Sequence, residues 1–255
     1  VAVTDHNLIQ GSLEAMEIAK DKGVFIVPGI EISSWDGPHI LVYFYSAGEM
    51  KEYWKKYTRP YIHSSRWLAI DKGTEWILNS LEGVNCVVSA AHPLGYLASV
   101  KGVQKAINLG ILDESVAGRF DSYEVICGGM FRSENLAARR YADEYGIGYT
   151  GGSDGHILHE LGTVVTACES DDLDGFLDSI AEQTSIVIGR EKNPPRKFAT
   201  AMASTSRFST SCPSRSLERK LQSVRYRRTH DYPGKTGSKL MRRRRSALRQ
   251  RLEFV

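Results

Sequence analysis

The sequence predicts an α/β protein, built either as a (β/α) barrel or as an open doubly wound sheet. Three observations carry this expectation. Short β-branched runs alternate with helical patterns through residues 1–191, glycines punctuate the helix ends, and histidines gather beside the predicted strand ends.

The elements follow in order. Strands are predicted at 1–4, 24–27, 40–45, 86–90, 122–126, 147–150, 162–166 and 185–188, each short, apolar and rich in β-branched residues. Between them, 12–22 carries Leu13, Met16, Ile18 and Ala19, 133–145 carries Leu136, Ala137, Tyr141 and Ala142, and 173–182 carries Phe176, Leu177 and Ile180. This spacing puts apolar side chains on one helical face. Gly23, Gly110 and Gly146 stand where such helices should stop. The stretch 49–82 breaks the rhythm. It is helix-compatible and aromatic (Tyr53, Trp54, Tyr57, Tyr61, Trp67, Trp76), with Pro60 expected to divide it. Two readings stay open for it, a lid over a pocket or a helical excursion packed on the body.

Charge divides the chain. Its 33 basic and 30 acidic residues give a net +3, but residues 1–191 hold 15 basic against 27 acidic, and 192–255 hold 18 against 3. An acidic domain, 1–191, is therefore expected to precede a basic tail, 192–255. The tail opens on Pro194-Pro195, continues through a Ser/Thr-rich run, and ends near the Arg242–Arg245 block without apolar periodicity. Such a composition predicts disorder. The tail could contact RNA or DNA through its charge, or be a solvated or out-of-frame extension without function.

Other classes are excluded. A 42% hydrophobic chain of 255 residues can bury a core. The longest apolar runs, 23–32 and 40–45, are too short to span a bilayer. No secretory pattern opens the chain, and Cys86, Cys127, Cys168 and Cys212 form no C-x-x-C pair. A reducing, cytoplasmic setting without membrane contact is the expectation.

The histidines point to chemistry. His6, His92 and His156 each follow a predicted strand and His39 immediately precedes one, while Asp5, Glu31 and Asp154 lie beside them. In a barrel whose strands run parallel, strand ends converge on one face. Imidazoles and carboxylates gathered there are metal ligands by type, suited to zinc, manganese or iron. His63 and His230 lack this placement; His159 is a candidate only for supporting His156. No phosphate-binding P-loop, dinucleotide fingerprint or serine-hydrolase elbow is present in the sequence.

Thr4-Asp5-His6-Asn7, Pro28-Gly29-Ile30-Glu31-Ile32, His39-Ile40-Leu41, Ala91-His92-Pro93 and Gly152-Ser153-Asp154-Gly155-His156, in that order, resemble the successive motifs of the PHP (polymerase and histidinol phosphatase) family. Within it, the chain is most similar to stand-alone metal-dependent phosphoesterases. The resemblance implies a distorted seven-stranded (β/α) TIM-like barrel binding two or three divalent ions (Mn, Fe, Zn or Mg). It implies His6, Glu31, His39, His92, Asp154 and His156 as metal ligands, with Glu31 the bridging carboxylate. Glu31 and His156 are the candidate catalytic residues, together with Asp5, which either orients His6 or caps the following helix. Family members open with a strand ending in H-x-H, and nothing like it precedes Thr4. The expectation is therefore a barrel lacking its first strand through N-terminal truncation. Where some relatives place a phosphate-holding arginine, Leu94-Gly95-Tyr96 stands, leaving Lys101 and Arg132 as possible substitutes.

The implied function is hydrolysis of a phosphate ester of a nucleotide, short oligonucleotide or small phosphorylated metabolite by a metal-activated hydroxide. The alternative is a catalytically lapsed module that binds nucleic acid through its tail.

Overall fold

Five strands form the main sheet in the order β1 (Gly29–Ser33), β2 (His39–Phe44), β3 (Cys86–Ala90), β4 (Ser122–Cys127), β5 (Gly148–Gly152). A two-stranded ribbon of β6 (Val164–Ala167) and β7 (Ile186–Gly189) lies beside β5, where Thr166 Oγ1 bonds both the amide and the carbonyl of Gly151. The protein is described by a computed structural model covering residues 1–63, 68–95, 99–195, 197, 200 and 202, all within one unit, Val1–Ser216. Trp67 and most of the basic tail lie outside the described residues. Among those residues, no helix is long and apolar enough to cross a membrane.

The mixed α/β expectation holds, and its uniformly parallel form is corrected. β2 runs antiparallel to both β1 and β3, and only β3–β4 and β4–β5 pair in parallel within the main sheet. Two predicted strands also change. Segments 1–4 and 24–27 make only isolated parallel bridges, Ala2 with Val27 and His6 with Glu31. The true strand lies a few residues later, at β1. Its five residues are all buried, whereas Phe25 in the predicted run is 73% exposed. Apolar content marked the run, and burial between neighbours decided the strand.

Alternation along the strands separates two environments. Ile30, Ile32, Ile40, Val42 and Phe44 point to one face and are fully buried in the main core with Val88, Tyr123 and Val125. At about 1.5–3 kcal/mol for each large apolar side chain buried, this face stabilises the sheet strongly. Glu31, Leu41, Tyr43, Glu124 and Thr150 point to the other face and line a cavity of about 930 Å3. Beneath it, Val27, Val87, Leu177 and Ile180 form a second small core.

Helices cover the sheet. α1 (Gln10–Ala19) follows the first segment, α2 (Ala47–Tyr53) and α3 (Thr74–Leu81) lie in the aromatic excursion, and α4 (Val103–Asn108) follows β3. α5 (Arg132–Tyr145) and α6 (Leu173–Ala181) match the predicted helices closely. α5 ends because Gly146 adopts φ +63°, a left-handed conformation that glycine takes without strain. In the 49–82 stretch, a π turn (Trp54–Thr58) and a 3-10 turn (Arg59–Tyr61) containing Pro60 follow α2. Tyr53, Trp54, Tyr57, Tyr61 and Trp76 all join the main core, and Tyr53, Tyr57, Tyr61 and Trp76 are linked by ring contacts of 5.0–6.3 Å.

Candidate metal centre

The antiparallel turn of β2 explains how His39, at the start of its strand, meets histidines that follow theirs. Cα register pairs Ser33 with His39 and Ile40 with Ala90, so the beginning of β2 lies beside the ends of β1 and β3. His39 and His92 consequently stack edge to face at 5.0 Å. His6 reaches the same place from residues 5–7, which run along β1: Glu31 N donates to Asp5 O, and Asn7 N donates to Glu31 O. Asn7 fixes this approach. Fully buried at φ +59°, it donates from Nδ2 to Leu68 O at 3.0 Å and accepts from Ser33 N at 2.9 Å.

Glu31 is the centre of the group. Its Oε1 is 2.8 Å from His39 Nδ1 and 3.4 Å from His92 Nε2, and its Oε2 is 3.4 Å from His6 Nδ1. His6, Glu31 and His39 each offer a donor atom, all within 4.8 Å of one another. Burial alone would raise the Glu31 carboxyl pKa, but His6, His39 and His92 outweigh it and hold it well below the usual carboxylate range. His39 is pushed down to about 3, chiefly by burial and against the pull of Glu31. A neutral His39 beside an ionised Glu31 donates from Nδ1 and presents the Nε2 lone pair. Burial likewise lowers His6, in spite of Glu31. His92 goes the other way, since its bond to Glu31 and the charges of Glu31, Asp154 and Glu124 exceed the burial penalty.

The remaining sequence-predicted residues occupy different positions. Asp154 and His156 line the same cavity, and the Asp154 charge acts on His6 and His92. The exposed His156 directs Nδ1 to Asp154 O at 3.2 Å and stands outside the tight His6–Glu31–His39 group. The Asp5 carboxylate lies over α1, where a Cβ on Gly11 would come within 2.1 Å of Oδ2. The hydroxyl that meets His6 Nδ1 is Ser33 Oγ, at 3.1 Å. Lys101 accepts from His39 N through its carbonyl, and its charge contributes to lowering His6 and His39. Arg132 is exposed at the start of α5, and His159 is exposed on the 3-10 turn Leu158–Glu160.

Glu124 is the site residue the motif pattern omits. It sits on β4, is 5% exposed, lines the cavity, and accepts from His92 N at Oε2, 2.8 Å away. That bond holds His92 where its backbone is strained, at φ +30°. Burial, with Asp154 and Glu31 nearby, pushes the Glu124 carboxyl up to about 8 despite His92. The available signal was a lone acid inside a strand, flanked directly by Tyr123 and Val125.

Residues 132–185, from α5 into the turn before β7, match a family model described as PHP-associated. Over that stretch the chain is similar to PHP-associated proteins. Solved structures share this chain's fold at low identity. PsfC from Pseudomonas syringae PB-5123 is 16% identical over 82% of this chain and 83% of its own, with a TM-score of 0.52. The lesion-specific endonuclease PfuEndoQ from Pyrococcus furiosus is 15% identical over 71% of this chain and 47% of its own, at 0.53. An Endonuclease Q complex with a 27-mer duplex substrate carrying an abasic lesion at the active site is 14% identical, covering 71% and 48%, at 0.52. The chain thus spans about half the length of these endonucleases. No curated protein matches it in sequence.

Proposed function

We propose that the protein is a metal-dependent phosphoesterase acting on a nucleotide, a short oligonucleotide or a small phosphorylated metabolite. The observation that carries this reading is an ionised Glu31 among three imidazoles, His6, His39 and His92, on the wall of a cavity of about 930 Å3. The donor set fits a divalent ion, because three donor atoms of mixed nitrogen and oxygen type already lie within 4.8 Å.

His6, Glu31, His39 and His92 would hold metal on one side, with Asp154 and His156 completing the set. When bound, divalent ions neutralise phosphate oxygens and acidify a water into a nucleophile near neutral pH. The protein's own groups prepare for this. Glu31 keeps its negative charge through its histidine partners, and His39 keeps its proton on Nδ1 so that Nε2 faces away from Glu31. Ser33 Oγ orients His6. Glu124 fixes the His92 backbone and, before metal binds, holds a proton at neutral pH.

The test is hydrolysis by full-length protein supplied with manganese, across a panel of phosphomonoesters and short oligonucleotides. Turnover that depends on the metal and falls at least about a hundredfold in Glu31→Gln and His39→Ala is expected. A panel left intact by protein that has bound manganese refutes the reading.

A further inference from the structure

The loop carrying Asp154 and His156 is gripped by two charged side chains that the motifs do not include. Glu160 closes the loop, and Lys192 arrives from beyond β7, where the charge count begins the basic tail. Each side chain is 6% exposed, and Lys192 Nζ lies 2.9 Å from Glu160 Oε1. Burying two charges costs several kcal/mol per ion by general experience, so such a pair persists only where further hydrogen bonds satisfy it.

Those further bonds fall on the backbone of the two predicted ligands. Lys192 Nζ donates to Asp154 O at 3.1 Å, and His156 N donates to Glu160 Oε2 at 2.8 Å. Thr200 Oγ1 donates to Glu160 Oε1 at 2.6 Å. Asp154 sits at φ +44°, a left-handed conformation that a non-glycine residue keeps only when its surroundings impose it. Its carbonyl also faces His156 Nδ1 at 3.2 Å. With the proton on Nδ1, the His156 lone pair lies at Nε2.

We infer that the buried Lys192–Glu160 pair is a clamp that positions Asp154 and His156 for metal, holding the carbonyl of the first and the amide of the second. The inference rests on the metal-binding reading above. Both are positioning residues, acting through the backbone of others. The beginning of the segment counted with the tail is therefore a working part of the metal centre.

A merely structural ion pair and a clamp respond differently to neutralisation. Replacing both members of a buried pair commonly leaves stability near its original level. The double variant Lys192→Met/Glu160→Gln loses the charged grip on Asp154 O. In the full-length protein, manganese affinity is measured by calorimetry and site geometry by the visible spectrum of the cobalt-loaded form, with the melting temperature read alongside. The clamp predicts a double variant that melts near wild type, binds manganese about 10–100-fold more weakly, and shows an altered cobalt spectrum. A folded double variant with wild-type affinity and spectrum overturns it. If the double variant does not fold, Thr200→Val decides, since it removes one bond to Glu160 and leaves both charges. Manganese binding weakened about threefold with unchanged melting supports the clamp, and unchanged binding overturns it. Wild-type protein that binds neither metal overturns the underlying metal-site reading, and the clamp with it.

Discussion

Replacing Glu124 by glutamine in metal-stripped protein should stabilise it, and the gain should grow with pH. Glu124 is 5% exposed and its carboxyl is raised from 4.5 to about 8, burial being the largest cause. In the unfolded chain the carboxyl ionises near its ordinary value, so between about 4.5 and 8 the unfolded state releases a proton that the folded state keeps. Stability from this group is therefore complete below the unfolded pKa and falls as pH rises, by about 1.4 kcal/mol per pH unit, until the folded group also ionises. The summed loss above pH 8 is on the order of 5 kcal/mol. Glutamine does not titrate, and its carbonyl can still accept from His92 N. Urea unfolding at intervals from pH 4.5 to 9, after chelation, should give curves that coincide at the acid end and separate by several kcal/mol at the alkaline end. A difference that is constant across pH would refute the argument, because it would mean that Glu124 carries the same charge in both states.

Three further outcomes follow. His39→Ala removes the closest partner of Glu31, at 2.8 Å, and should weaken manganese binding at least about tenfold by calorimetry while the main core is left intact. Asn7→Ala loses two buried hydrogen bonds and a residue tolerant of φ +59°, and should cost about 2–4 kcal/mol in urea unfolding. Gly146→Ala places a Cβ at φ +63° with open space around it, so backbone strain alone should destabilise by about 1 kcal/mol; a neutral result would show that the end of α5 relaxes.

Much of the fold was legible because its alternation is local. α5 and α6 were visible from apolar spacing, and β2 to β5 from short β-branched runs. Register and direction were not legible. Nothing in the composition of 29–44 says that β1 and β2 pair antiparallel, and the exposed Phe25 run looked more strand-like than Gly29–Ser33. The convergence of His6, His39 and His92 was legible in their motifs, since residue type and position relative to strands carry that information. Glu124 was not, because a single acid in an apolar strand shows no periodicity, and its meaning comes from the cavity it faces. The Lys192–Glu160 pair was hidden more deeply. A charge count treats Lys192 as solvated, and only the folded chain brings it to Asp154.

The antiparallel β1–β2–β3 meander also bears on how the protein folds. Ser33 and His39 are joined across residues 34–38, a short loop whose closure costs little entropy, whereas the parallel pairings of β4 and β5 must wait for long crossovers. Glu31 and His39 can thus meet in a nascent hairpin, ahead of the loop that carries Asp154 and His156. A metal captured at that stage would act as a nucleus, and the order of assembly would run from ligand pair to complete sheet.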